Sequence, residues 1–550
     1  MCVIHAEKNL MSEYRPPNQG LKEHQIKLST VVFIMYCLVA GGAFGIEEMI
    51  SATGPGLTLL MLVVLPFIWA GPQALVSAEL GSAIPEAGGF YKWVQRGLGE
   101  FWAFQAGWCR TVSSYLDNTI YVVLAVSYLG MILNLSAVEA YLCKAAIIIF
   151  FTYINLLGIK EVGKFSTFFS VSVMTAFAFV AMVGFLNWNQ SPFTPFDHPE
   201  KSFFASIGAS LAIGMWCYSG YTSMSTLAAE IKDKTLIPKG LLILLPLSAF
   251  SYILPTMAGL AALGSWDLWS TGGGVSYGNV AALAGDIFLP VFVGVAIMAN
   301  LSIFNSYIIS ISRCFFSMAD DNLSPKSLVK LSKSHSVPYV GVLSLGVFCL
   351  FACTFDFTIL VTVSVMLLMV DYVLVWIAGI RLRQYEPDMP RPFRISVGTK
   401  GFILIVTPGI SIALISLFLN GADYFLGGMF GLVSSPIMYY IFKLKYGGLT
   451  ANDAEKYPIN KRTKLAPGDL YRIASTFGLF ALLGFVGGYV FFPWYEGAWG
   501  AEYYAESYGN ADAFALILDG IILTSYVFFG AALILTVLAR KLEPKGLRIL

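Results

Sequence analysis

Acidic and basic side chains stand in this chain where an apolar segment tolerates few of them. Glu47 and Glu48 are adjacent in the first long apolar run, and Arg110 and Asp117 lie seven residues apart in the third. Ionisable groups inside a spanning segment are costly, face the bundle interior and pair, so each marks a candidate functional position. The acidic pair follows Gly41-Gly42-Ala43-Phe44-Gly45 directly. Three glycines in five residues cost a helix roughly 1 kcal/mol each against alanine. A spanning helix carrying both features is expected to break there. The break frees backbone N–H and C=O groups, which are tolerated at membrane depth only beside a cavity. The stretch therefore reads as half of a substrate site.

A second such stretch, Cys217-Tyr218-Ser219-Gly220-Tyr221-Thr222-Ser223, lies in the middle of the sixth apolar run. A half-helix N-terminus at Gly42 to Gly45 offers N–H groups and a partial positive charge to a substrate carboxylate. The carbonyls of Tyr218 to Gly220 suit an ammonium, and Phe44, Tyr218 and Tyr221 are placed to wall the site. Two roles are open to Glu47 and Glu48. In the first turn of the second half-helix they complement its dipole by ~0.3–1 kcal/mol. In the same place they cancel potential that would hold a carboxylate, and so favour an ammonium or act as a proton-carrying acid. Arg110 and Asp117 share a helix face, but two turns exceed the reach of a direct pair, so each is expected to have another partner. Asp117 is open both to a substrate role and to a structural one, fixing helix three against a neighbour. Glu79 and Glu230 read as capping or gate-closing ion-pair members with basic loop residues. Asn300 and Asn305, with Ser302 and Ser306, suit a sodium ion or interhelical hydrogen bonds, the second being the commoner use. Asp371 and Asp519 are assigned no role.

The elements that must position these residues are membrane helices. The chain of 550 residues is 57% hydrophobic and 12% charged, against ~25% charged in soluble domains. Runs of about 20 apolar residues, enough to span a bilayer, occur near 27–53, 55–80, 100–133, 141–159, 164–188, 203–230, 237–264, 284–318, 338–354, 356–381, 401–420, 422–443, 472–494 and 513–539. With both termini cytoplasmic, every Lys and Arg except Lys144, Lys201 and the intrahelical Arg110 falls on the inner side, as the positive-inside rule requires. Helices one and six then hold matched positions in two five-helix halves of opposite orientation. Interrupted helices at matched positions of inverted halves point to a transporter binding site. The net charge of +1 offers no field for nucleic acid, and none of the eight cysteines has metal-ligand spacing; neither a metal nor a cofactor is expected. All four histidines (His5, His24, His198 and His335) fall in tails or loops, which argues against a membrane-embedded enzyme. No GxxxxGK(S/T) loop is present, which argues against ATP drive.

Several stretches resemble the amino acid–polyamine–organocation permeases. They are Gly41-Gly42-Ala43-Phe44-Gly45, the segment from Glu79-Leu80-Gly81-Ser82-Ala83 to Gly88-Gly89-Phe90-Tyr91-Lys92-Trp93, Tyr218 to Glu230 followed by Ile237-Pro238-Lys239, and Pro390-Arg391-Pro392-Phe393-Arg394. The resemblance spans roughly residues 20 to 445. Glu47-Glu48 and Asp117-Asn118 look most like the branch that takes up polyamines and cationic substrates. Thr222 departs from that branch, which often has an acid there. The stretch Phe165 to Met182 lacks the lysine carried by some proton-driven members, and Ser396 stands where proline is usual. The resemblance implies an all-α integral membrane protein of leucine-transporter-like fold, with about 14 transmembrane helices. Its parts would be a tail (1–26), a first inverted repeat (27–188), a second (203–381), two further helices (401–443), a cytoplasmic loop (444–471), two additional C-terminal helices (472–539) and a C-terminal tail (540–550). The implied function is secondary active transport of an amino acid or related amine across a plasma or inner membrane by alternating access, with a proton, a sodium ion or a second amine as the open choices for the counter-movement. Polyamine uptake is the alternative, and a non-transporting nutrient sensor the alternative from another class. The expected binding residues are Gly41, Gly42, Ala43, Phe44, Gly45, Glu47, Glu48, Asp117, Tyr218, Ser219, Gly220, Tyr221 and Thr222.

Overall fold

In lipid every backbone N–H and C=O must be paired inside its own segment, so a chain this apolar folds as helices. The computed structural model describes residues 27–39, 41–86, 88–157, 162–223, 225, 233, 235–330, 332, 337–497 and 499–543. Ala40, Glu230, the expected N-terminal tail and the chain beyond 543 lie outside them. The described residues form helices and turns without a strand; one isolated bridge joins Trp269 and Val275.

The helices run in order α1 (Leu28–Val39), α2 (Ile46–Thr53), α3 (Pro55–Ala83), α4 (Phe90–Leu98), α5 (Glu100–Gly130), α6 (Ala137–Leu156), α7 (Val162–Leu186), α8 (Phe203–Cys217) and α9 (Leu236–Ala262). They continue as α10 (Tyr277–Ala282), α11 (Phe288–Asp320), α12 (Tyr339–Ala352), α13 (Phe357–Tyr385), α14 (Thr399–Leu419), α15 (Ala422–Tyr446), α16 (Asp469–Val486), α17 (Gly500–Tyr508) and α18 (Ala513–Leu542). Among the described residues, 11 helical stretches are long and apolar enough to cross a membrane. The other three expected spans are also helical. The first is divided into α1 and α2, α5 carries Glu100, Arg110 and Asp117, and α12 has only 14 residues. The outermost helices show their apolar faces outward, as lipid requires: Val138, Leu142, Ile149 and Phe150 on α6, and Leu523, Val527 and Ile534 on α18, are exposed.

Both expected breaks are present. The chain leaves helical geometry after Val39 and regains it at Ile46. Gly42 has φ +107°, and a Cβ there would stand 2.6 Å from the rings of both Phe177 and Phe44. Only glycine fits that combination of backbone and space. The second break follows Cys217, with Gly220 at φ +108°. The polar groups it frees are taken up by aromatic side chains, which answers the need to pair every buried backbone group. Tyr252 donates to the Cys217 carbonyl at 2.9 Å, and the indole of Trp69 donates to the Met215 carbonyl at 3.1 Å. The Gly220 N–H donates to the Tyr372 hydroxyl at 2.7 Å. Three helices, α3, α9 and α13, are thereby tied to the interruption after α8.

Each end of the bundle is closed by polar contacts. At one end the turn carrying Ser270 and Thr271 sits on α2. At the other, α4 is held by Lys92 to Asp321 at 2.8 Å and by Arg96 to Glu386 at 2.7 Å. Glu79, at the end of α3, accepts from Arg383 Nε at 2.8 Å and from the Ile395 N–H at 2.9 Å, with Arg391 alongside at 3.3 Å. That is the ion-pair role expected of it, and it pins the Pro390–Arg394 segment to the bundle.

Candidate functional site

The two breaks face one cavity between α5, α8 and α11, lined by polar and aromatic residues. Gly41, Gly42 and Phe44 line it from the first break, and Ser219 and Gly220 from the second. Asp117 reaches it from α5, which places six of the thirteen expected residues on its surface. Phe44 forms part of the wall, edge-on to Tyr128 and Phe177 with ring centroids 5.5 and 5.0 Å apart.

Asp117 is held from the second break. Trp216, the residue before Cys217, donates its indole N–H to Asp117 Oδ1 at 2.6 Å. Tyr307 of α11 lies against the same carboxylate and packs on Tyr121 with centroids 5.6 Å apart. Trp216, Tyr121 and Tyr307 all line the cavity. The carboxylate thus sits among aromatic side chains, and such rings suit an ammonium group beside it.

Arg110 takes a different set of partners, as the two-turn spacing required. It donates to Ser223 Oγ at 2.6 Å and to the Tyr372 hydroxyl at 3.4 Å, and lies 3.6 Å from Asp371. Asp371, to which the sequence assigned no role, is fully buried on α13 and balances the guanidinium. Arg110 and Tyr372 both line or support the second break, so α5, α8 and α13 meet at one charged junction.

Seven expected residues lie off the cavity. Glu47 is fully buried and turned back on its own half-helix. Its Oε2 accepts from the Gly45 N–H at 3.1 Å, and Tyr128 donates to Oε1 at 2.7 Å. This is the helix-dipole role, made by a carboxylate satisfying the freed N-terminus of α2. Glu48 points the other way. Its Oε1 accepts from Ser270 Oγ, the Thr271 N–H and Thr271 Oγ1, each at 2.9 Å. Successive residues on a helix lie about 100° apart, so adjacent carboxylates cannot serve one ligand from α2. Ala43 is buried behind Phe44, and Gly45 caps α2 through Glu47. Tyr218 donates to the Leu62 carbonyl at 2.8 Å and Tyr221 pairs with Ser248 at 3.0 Å, both away from the cavity. Of the carbonyls expected to receive an ammonium, that of Tyr218 accepts from Gln73 Nε2 at 3.4 Å. Thr222 is buried, and its carbonyl accepts from Ser225 at 2.6 Å.

The sequence reading missed Trp216, Tyr121, Tyr307 and the cavity position of Asn300. Trp216 carried a signal, since it is an indole donor placed next to the break. The tyrosines carried none, because an aromatic residue in a spanning helix is equally at home facing lipid or core.

Comparison with known proteins places this geometry. A family model described as amino acid permease matches residues 26–444. A probable polyamine transporter of Arabidopsis thaliana is 31% identical over 400 residues, covering 72% of this chain and 79% of that protein. The polyamine transporter PUT1 of Oryza sativa subsp. japonica is 28% identical, covering 78% and 81%. The serine/threonine exchanger SteT of Bacillus subtilis is 22% identical, covering 78% and 99%. In fold, the chain resembles the crystal structure of MhsT in complex with L-phenylalanine, with a TM-score of 0.50 and 14% identity over 73% of this chain and 100% of that one. This is the leucine-transporter-like arrangement, with its two discontinuous helices, that the sequence led one to expect. The chain is a multi-pass membrane protein and belongs to the amino acid permease family.

Proposed function

We propose that this permease carries short aliphatic polyamines such as putrescine across a cell membrane, and that Asp117 is the anchor for a substrate ammonium. The observation that carries this reading is the charge balance of the cavity. Arg110 lies 3.6 Å from Asp371 and also acts on Asp117, so the two carboxylates around this one guanidinium leave one negative charge over, and of the two it is Asp117 that lines the cavity. A desolvated carboxylate walled by Trp216, Tyr121 and Tyr307 gains from a cation by direct attraction and by cation–π contact. The relatives named polyamine transporters support the same substrate class. An α-amino acid would need a donor site for its carboxylate, and the N-terminus of α2 already holds Glu47.

Transport proceeds by alternating access. The two inverted halves, 27–188 and 203–381, rock about the cavity with both termini in the cytoplasm. On that orientation the Glu48 contacts lie at the outer end, and the Lys92–Asp321 and Glu79–Arg383 contacts at the inner end. Uphill movement draws on a proton or sodium gradient. Proteoliposomes with imposed pH or sodium gradients separate the two drives, since only the coupled gradient concentrates label.

The deciding experiment is uptake of radiolabelled putrescine and of a neutral amino acid panel, wild type beside Asp117→Asn. Saturable putrescine uptake, competed by spermidine and lost with the substitution, is the expected result. Removing one member of a buried charge pair costs ~2–5 kcal/mol, a fall of at least about 30-fold. Uptake of neutral amino acids with putrescine inert would sink the reading. Binding without uptake would make the protein a sensor.

A further inference from the structure

The cavity contains a second polar group placed for a ligand. Asn300 of α11 lines it and is 1% exposed. Its Nδ2 donates to the Ala296 carbonyl one turn away at 2.9 Å. Its Oδ1 has no hydrogen-bond partner among the described residues. The chemistry of the amide fixes which end is which. The Ala296 carbonyl needs a donor, so nitrogen faces the helix and oxygen is left toward the cavity. A buried acceptor without a donor carries a desolvation cost that an arriving N–H removes.

We infer that Asn300 Oδ1 receives the second amine of a di- or polyamine whose first ammonium rests on Asp117. The inference builds on the Asp117 reading above and adds what sets selectivity among amines. Asn300 precedes Tyr307 by seven residues on α11, about 10 Å along the helix axis, and Tyr307 lies against Asp117. A linear chain of three or four methylenes, with a hydrogen bond of about 2.9 Å at each amine, spans about 11–12 Å, close to that rise. The cavity also presents Phe44 and Ile303, which suit the methylenes of a mono- or a diamine alike, so the second pole is what separates the two. A neutral amide oxygen accepts from a primary or a secondary ammonium alike. The pole therefore admits triamines as well as diamines.

The test compares putrescine with n-butylamine, which has the same chain and lacks one amine. Binding of each is measured on purified protein. Asn300→Leu removes the acceptor at similar volume and is expected to weaken putrescine about tenfold or more while butylamine changes less than twofold. Asn300→Asp turns the pole into a carboxylate and is expected to tighten putrescine relative to butylamine. If Asn300→Leu fails to give monodisperse protein, the putrescine-to-butylamine ratio of Asn300→Asp decides. A parallel change in both amines, or no change in either, overturns the inference and leaves the Asp117 anchor standing. Loss of both amines in Asp117→Asn upholds that anchor. If both amines still bind to Asp117→Asn, the anchor falls and the second pole falls with it.

Discussion

At the residue scale, the site depends on how single side chains are held. Trp216 orients the Asp117 carboxylate through one N–H at 2.6 Å. Trp216→Phe keeps the ring and loses the donor. A hydrogen bond to a charged group contributes ~1.5–3 kcal/mol, so the KM for putrescine is expected to rise about tenfold in uptake assays with little change in protein yield. Gly42 makes the opposite demand, for the absence of a side chain. A Cβ there meets Phe177, Phe44 and Val173, all under 3 Å, on a backbone at φ +107°. Gly42→Ala is therefore expected to abolish transport and lower the thermal unfolding midpoint, since alanine at positive φ is strained as well as crowded. The glycine requirement was visible in the sequence. The Trp216 bond was not, because it joins residues 99 apart.

At the element scale, two latches restrain the parts that alternating access must move. Glu48 gathers three donors from the turn at Ser270 and Thr271 onto α2. Glu48→Ala frees that turn, and hydrogen exchange across residues 266–276 should speed up while putrescine affinity changes less than threefold. Unchanged exchange would show the latch to be idle. Glu79 joins α3 to α13 and to the segment after it. Glu79→Ala leaves Arg383 buried without its carboxylate, a loss of ~3–5 kcal/mol, and the unfolding midpoint in detergent should fall accordingly. The sequence placed Glu79 among basic loop residues, but it did not reveal that Glu48 and Glu47 face different neighbours. Sequence adjacency hides that divergence, whereas helical rotation produces it.

At the scale of the whole molecule, the C-terminal helices are fastened to the transport core by an acidic and aromatic cluster. Tyr504 of α17 lies 3.2 Å from Glu496 and 3.3 Å from Asp423, Tyr508 donates to Asp423 at 2.7 Å, and the Ala422 N–H donates to Tyr504 at 3.0 Å. Burial, with the Asp423 charge adding to it, pushes the Glu496 carboxyl up to about 7 from 4.5. A raised folded-state pKa means that the folded cluster binds the proton more tightly than the unfolded chain. Stability is then fullest below about 4.5 and declines as pH rises through about 7, because the unfolded state releases its proton first. Protease nicking within residues 496–512 should increase between pH 5 and pH 8, bounds of about that window, and Glu496→Gln should flatten the dependence. A second fastening lies at the other end, where the Leu449 N–H donates to Glu100 Oε1 at 2.9 Å and Asn452 Nδ2 donates to the Asp320 carbonyl at 3.0 Å. The segment past residue 444, beyond the family match, is thus joined to α5 and α11, which also form the cavity.

Run length, glycine placement and charge content are properties of the chain in one dimension. They were enough for the helical class, for 11 spanning stretches among the described residues and for both interruptions, because lipid forces every apolar run of spanning length into a self-paired helix. The direction in which each carboxylate points is a different matter. It depends on the rotation of one helix against its neighbours, which is set by side-chain packing between segments far apart in sequence. Glu47, Glu48, Asp117 and Asp371 all read as acids in apolar runs. Packing alone made the first a cap, the second a latch, the third a cavity group and the fourth the partner of Arg110.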